Sequence, residues 1–190
     1  GADPSAMRGC GASPVHWAAS SGYAEITDLL IRSDPKRDLV NAFDEAGITP
    51  LHCAVQSGHE RVVAALLNLG ADQSVRDHQG FTALHIVGTK GHVPLMRSLL
   101  SQKEPSKMCS FDGSKNLLQQ VCYAGHTDIA TLLLDARAKA DESDANGMRP
   151  IILAGLKGHA ELMDLLLRHG ATVEESELEA IDRARSDVAK

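Results

Sequence analysis

The chain has 190 residues, a formal charge of −6 and only 3% aromatic residues. That acidic balance argues against a nucleic-acid binder, because phosphate contact needs a basic face, and no apolar run approaches the roughly 18 residues that a membrane-spanning helix needs. Four cysteines, Cys10, Cys53, Cys109 and Cys122, form no CxxC and no regular framework, which points to a reduced compartment, cytoplasmic or nuclear.

Taken in order, the chain opens on Gly1-Ala2-Asp3, 12 residues before Ser13, just as Gly70-Ala71-Asp72 lies 12 residues before Thr82. Residues 1–12 therefore read either as the closing turn of a preceding unit or as a tag remnant, and with an excised fragment in view the lack of a signal peptide carries little weight. A first unit, 13–48, opens with Ser13-Pro14-Val15-His16. It carries Trp17 where the next unit has Cys53, turns at Gly22-Tyr23, and has a longer loop within Ser33 to Asp38.

The second unit, 49–81, is the clearest. Thr49 caps a helix, and Pro50 follows at the first helical position, where a missing N–H does no harm. Leu51, Ala54 and Val55 share one helical face. Gly58 ends that helix in a left-handed conformation. A second helix over about His59 to Asn68 buries Val62, Val63, Leu66 and Leu67, and Gly70 stops it. The unit is helix, tight turn, helix, long loop, and it cannot bury its apolar faces alone.

Its copies follow. Gly58-His59, Gly91-His92, Gly125-His126 and Gly158-His159 repeat the turn, with glycine spacings from Gly22 of 36, 33, 34 and 33. Helix openings keep step at Thr82-Ala83-Leu84-His85, Asn116-Leu117-Leu118-Gln119 and Arg149-Pro150-Ile151-Ile152. Apolar pairs close each second helix, at Leu30-Ile31, Leu66-Leu67, Leu99-Leu100, Leu133-Leu134 and Leu166-Leu167. A third unit, 82–115, has Lys103-Glu104-Pro105 where Gly-Ala-Asp is expected. A fourth, 116–148, has Gln119 for the histidine and Arg137 for the turn glycine, so it is expected to open more easily than the second. A fifth, 149–175, precedes 176–190. There Ser176 and Glu179 form a capping-box pattern, read as a C-terminal capping helix or as a sixth unit cut short.

The period and the Thr-Pro-Leu-His opening resemble the ankyrin repeat. The resemblance spans roughly residues 13 to 175 in five copies. It implies an all-α solenoid of stacked helix-turn-helix units with β-turn loop tips. It also implies a protein-interaction module, part of a larger protein, that binds a protein or peptide segment on a concave face. A regulatory or autoinhibitory segment of a larger enzyme or channel is the alternative.

His16, His52 and His85 recur once per unit, about one helix spacing of 10 Å apart. That is too far to share a zinc ion, whose bonds to histidine are about 2 Å, and in the family such a histidine hydrogen-bonds between repeats. Cys53 and Cys122 lie near histidines without an orienting third group. The chain is therefore expected to be no enzyme and to hold no metal or cofactor.

Alignment on the family places exposed positions just before each first helix, at Ala12, Ile48, Phe81, Lys115 and Met148. It places others at the end of each first helix, including Gln56-Ser57, Thr89-Lys90, Tyr123-Ala124 and Leu156-Lys157, and at the loop tips, including Glu45, Ala46, His78, Gln79, Ala145 and Asn146. Ile48, Phe81, Lys90, Tyr123, Met148, Leu156 and Lys157 form the candidate partner-binding set, either a stripe or isolated surface apolars. Two lysines beside apolar anchors suit a peptide with apolar and some acidic side chains. Trp17 reads as half-buried packing against a previous repeat or as a partner contact. The acidic loop Asp141, Glu142, Asp144 reads as solvated or as facing a basic partner. Val40-Asn41-Ala42 matches the loop context in which ankyrin repeats resemble asparaginyl hydroxylase substrates, making Asn41 a candidate for hydroxylation, or else a turn stabiliser.

Overall fold

The computed structural model describes residues 11–36, 38–101, 116–144, 146–175, 177–179 and 181. Cys10, Arg37, Lys103-Glu104-Pro105, Cys109, Lys115, Ala145, Ser176 and most of 176–190 lie outside the described residues, and so do the first ten residues.

Ten α-helices are present among the described residues: α1 (Pro14–Ser20), α2 (Ala24–Arg32), α3 (Pro50–Ser57), α4 (Glu60–Asn68), α5 (Ala83–Lys90), α6 (Val93–Leu100), α7 (Leu117–Ala124), α8 (Thr127–Asp135), α9 (Pro150–Lys157) and α10 (Ala160–Arg168). A short 3₁₀ turn covers Asp38–Asn41. No strand occurs among them, and none of these helices is long and apolar enough to cross a membrane. The chain forms two compact units, 1–99 and 100–190.

In the first unit α1, α3 and α5 form an inner row, α1 and α3 pair with α2 and α4, and α2 packs on α4. In the second, α7 packs on α9, α8 on α10, and the two pairs close as α7–α8 and α9–α10. Leu51, Ala54, Val55, Val62, Val63 and Leu66 are all essentially inaccessible to solvent. Leu67 is half-buried and Leu167 exposed, whereas Leu66 and Leu166 are buried.

The Gly-His turn has a packing reason as well as a backbone one. Gly58 has φ +78°, the left-handed conformation that favours glycine. At Gly22 and Gly125 a side chain would also collide with the next repeat's histidine: a Cβ would stand 2.9 Å from the His59 ring and 2.4 Å from the His159 ring. His59 Nε2–H then donates to the Ser20 carbonyl at 3.0 Å. The glycine of one repeat is the seat of the histidine of the next.

Towards the C-terminus, residues 175, 177–179 and 181 are helical. Ile181 is 3% exposed and lies over Gly155, where a Cβ would meet its Cδ1 at 2.5 Å. Arg149 anchors the same segment. Its guanidinium donates to Glu177, to Asp141 Oδ1 at 2.9 Å and to the Thr172 hydroxyl at 2.8 Å. Hydrogen bonds from Arg149 hold the Glu177 carboxyl below its usual range. Asp141 also accepts from Thr172, Glu142 pairs with Lys139 and Asp144 caps its own loop. The acidic loop is therefore internally committed rather than simply solvated.

Candidate functional site

In the first, second and fourth repeats one side chain ties the first helix to the following loop tip. In the second repeat His52 Nδ1 accepts from the Thr49 N–H at 3.2 Å, and Thr49 Oγ1 lies 2.8 Å from the same nitrogen. The other ring nitrogen must then carry the proton, and it donates to the Phe81 carbonyl at 3.2 Å. His16 repeats this with Ser13 and with the Ile48 carbonyl at 2.9 Å. Burial pushes the pKa of both rings below the usual histidine value, against weaker raising effects of the bonded carbonyls and nearby aspartates. Both nitrogens of each ring are thus engaged in a structural bridge.

Gln119 stands at the histidine position of the fourth repeat and supplies a bridge of its own. Its amide donates to the Met148 carbonyl at 2.6 Å and to the Glu142 carbonyl at 3.2 Å. Asn116 caps the same helix by accepting from Leu118 N–H at 2.9 Å. Arg137 does occupy the left-handed region, at φ +67°.

Each described tip is built on an aspartate. Asp44 Oδ1 accepts from the Ala46 and Ile48 N–H groups, both at 2.9 Å, and Asp77 Oδ1 from Gln79 and Phe81 at 2.9 and 2.8 Å. The two tips join through His78 N–H to the Ala46 carbonyl at 2.9 Å. Asn41 Oδ1 accepts from Asp72 N–H at 2.8 Å, which gives that side chain a turn-stabilising role.

Between these tips and the inner helices of the first unit runs a groove of about 480 Å³. Ile48, Phe81 and Ile86 supply its apolar lining, and His52, Cys53, Gln56 and Asp77 are among its other walls. Two members of the expected binding set, Ile48 and Phe81, are therefore brought together. Lys90 is exposed at the end of α5. In the second unit Lys157 Nζ stands 4.2 Å above the Tyr123 ring, and Tyr123 is 54% exposed.

The exposure expected just before each first helix needs correction. Ala12 is buried, and Ile48, Phe81 and Met148 are half-buried, as is Leu156. The cause is the tip aspartate, which holds the backbone of Ile48, Phe81 and Met148 so that each also presents a carbonyl to the bridge side chain. Phe81 packs edge-on to His85 with ring centroids 6.1 Å apart. The helix-end positions Gln56, Ser57, Thr89, Lys90, Tyr123 and Lys157 and the tip residues Glu45, Ala46, His78, Gln79 and Asn146 are exposed as expected. Trp17 is 53% exposed rather than half-buried, and lines a second groove of about 520 Å³ with Pro14, Tyr23 and Ile26.

Sequence reasoning passed over Cys53 and Ile86 as groove residues. The signal was the position after each histidine, Trp17, Cys53 and Ile86, which faces off the core stripe. Burial pushes the Cys53 thiol up to about 11 and the Cys122 thiol up to about 12, so both are protonated near neutral pH.

Comparison with known proteins agrees with this architecture. The chain is 33% identical over 168 residues to the "Probable E3 ubiquitin-protein ligase XBOS32" of Oryza sativa subsp. japonica, covering 88% of this chain and 32% of that protein. It is 29% identical over 156 residues to the human "Transient receptor potential cation channel subfamily A member 1", covering 82% and 14%. It is 30% identical over 162 residues to "Palmitoyltransferase AKR1" of Lachancea kluyveri, covering 84% and 22%. The chain thus spans about a third or less of the length of these relatives. A family model described as "Ankyrin repeats (3 copies)" matches residues 1–77 and 84–177, and the chain belongs to the ankyrin repeat family.

Proposed function

We propose that this chain, a protein-interaction module by family, holds a protein or peptide segment in the groove of its first unit. The contact residues there are Ile48 and Phe81, with Lys90 at the rim; Tyr123, Met148, Leu156 and Lys157 are the contact set of the second unit. The observation that carries this reading is the groove itself: a concave strip with an apolar lining, walled by fixed loop tips on one side and exposed helix ends on the other.

The module works without catalysis and without a cofactor. Its bridging histidines are spent on structure, and the two described thiols are protonated, Cys122 being fully buried as well. The negative charge favours protein over nucleic acid as the partner. Free Cys53 and Cys122 suit a reducing compartment, cytoplasm or nucleus. A second reading, a regulatory segment docking within a larger enzyme or channel, draws support from relatives that are a ligase, a channel and a palmitoyltransferase, each far longer than the matched region.

Selection from a library of random displayed peptides tests the site. Burial of an aromatic anchor is worth roughly 1.5–3 kcal/mol, so Phe81→Ala should weaken a selected peptide roughly 10- to 100-fold. Arg61→Ala, on the exposed surface of α4 against Glu25, should leave it unchanged. Binding unaffected by Phe81→Ala in a folded protein places the site elsewhere.

A further inference from the structure

We propose that the groove of the first unit selects a segment that pairs an apolar side chain with a neighbouring cationic one, the apolar group resting on Ile48, Phe81 and Ile86 and the cation meeting the carboxylates of Asp44 and Asp77. This rests on the groove being the docking site, and it adds the chemistry of the occupant.

Charge along the groove is complementary to such a segment. Asp77 is the sole charged residue in the lining given above besides the neutral-leaning His52, and Asp44 holds the matching place one tip earlier. Each carboxylate is immobilised through Oδ1 by two backbone N–H groups, while Oδ2 has no partner among the described residues. The tips themselves are joined by the His78–Ala46 hydrogen bond, so the loops that carry the two aspartates are fixed to one another. Asp77 lines the groove together with His52, and both aspartates oppose the lowering of the His52 pKa by burial.

Neither nearby cation is part of the groove lining. Arg76 Nη1 is committed to the Gly80 carbonyl at 2.9 Å. Lys90 stands at the far end of α5, about 12 Å along the helix from Thr82 at the usual rise per residue. The described lining thus carries the Asp77 carboxylate at its tip side and apolar side chains in the middle, with Lys90 at the opposite rim. An acidic peptide, the occupant suggested by the two lysines alone, would have to set its charge against Asp44 and Asp77. A cation held there trades water for two preorganised carboxylates and loses little in reorganisation.

The test uses the 190-residue chain as bait for a displayed library of random peptides. The enriched sequences should carry arginine or lysine within a few positions of leucine, isoleucine, methionine or phenylalanine. A synthetic consensus peptide, titrated by fluorescence anisotropy, should lose roughly tenfold in affinity when its basic residue becomes glutamate. The protein variant Asp44→Asn with Asp77→Asn keeps the oxygen that accepts the turn hydrogen bonds and removes only the charge. It should weaken the peptide by a similar factor and flatten its salt dependence. Should that variant misfold, a fall in wild-type affinity with rising salt still supports the pairing, and salt-independent binding overturns it. Enrichment of acidic or uncharged peptides, or full affinity in the double variant, overturns the inference while leaving the groove as the site. Selection of no peptide, or binding indifferent to Phe81→Ala, overturns the docking site and the inference with it.

Discussion

Replacing Gln119 with leucine should destabilise the second unit although it substitutes one buried side chain for another of similar size. Gln119 is 5% exposed and supplies donors to two carbonyls, those of Met148 and Glu142. Leucine fills the space but leaves both acceptors without that donor. An unsatisfied buried acceptor costs about 1–3 kcal/mol, and added apolar burial returns part of it. A net loss of about 1–2 kcal/mol corresponds to a fall in Tm of roughly 2–8 °C for a chain of this size. Thermal unfolding followed by circular dichroism reads the total. Native-state amide exchange shows whether the loss is local, with faster exchange at Gly147 and Met148, whose N–H groups bond to Asp144. Gln119→His restores a ring N–H at the bridge position and should lose less. A Tm within about 1 °C of wild type, with unchanged exchange at the tip, would refute the bridging role.

Other perturbations separate the remaining claims. Arg137→Gly relieves a left-handed non-glycine residue; the relief of about 1–2 kcal/mol is partly offset by glycine's unfolded-state entropy, leaving a small gain in urea midpoint. Gly125→Ala should be strongly destabilising, because it adds strain at φ +80° and a clash with His159, whereas Gly70→Ala, at φ +92° with open space around it, meets the strain alone. The pKa values of His16 and His52 are lowered by burial, so the unfolded chain takes up protons first as pH falls below about 6.5. Stability should therefore decline from pH 7 towards pH 5, and His52→Gln should flatten the slope in a pH series of urea titrations. Asn41→Ala removes the hydrogen bond to Asp72 and should cost about 0.5–1.5 kcal/mol. Incubation with an asparaginyl hydroxylase and mass spectrometry of the Asn41 peptide tests that modification, and an unshifted mass argues for the turn role alone.

The repeat period, helix caps and core stripe were legible because they depend on local chemistry. Thr49, Pro50 and Gly58 specify where α3 starts and stops from within the helix itself, and Leu51, Ala54 and Val55 mark its buried face. What could not be read was how substitutions compensate across repeats. Gln119 looks like a lost histidine until its amide is seen reaching the Met148 carbonyl. Arg149 gives no sign in the sequence that it joins Asp141, Thr172 and Glu177. The candidate site was legible in part for a related reason. Helix-end residues such as Gln56 and Lys90 are exposed by register alone, whereas Phe81 and Ile48 are set by the hydrogen bonds of a tip aspartate and turn partly inward. Ile86 went unnoticed because its apolar character was absorbed into the pattern of α5, though its position matches Trp17 and Cys53.

The proposed docking site is the groove between the inner helices and the tips of the first unit. Backbone-amide chemical-shift mapping by NMR, with a selected peptide titrated into the isotope-labelled chain, tests it most directly. The largest shifts are expected at Ile48, Gln56, Asp77, Phe81 and Ile86, with α2 and α4 silent. Shifts concentrated on α2 and α4, or confined to residues 117–168, would contradict it.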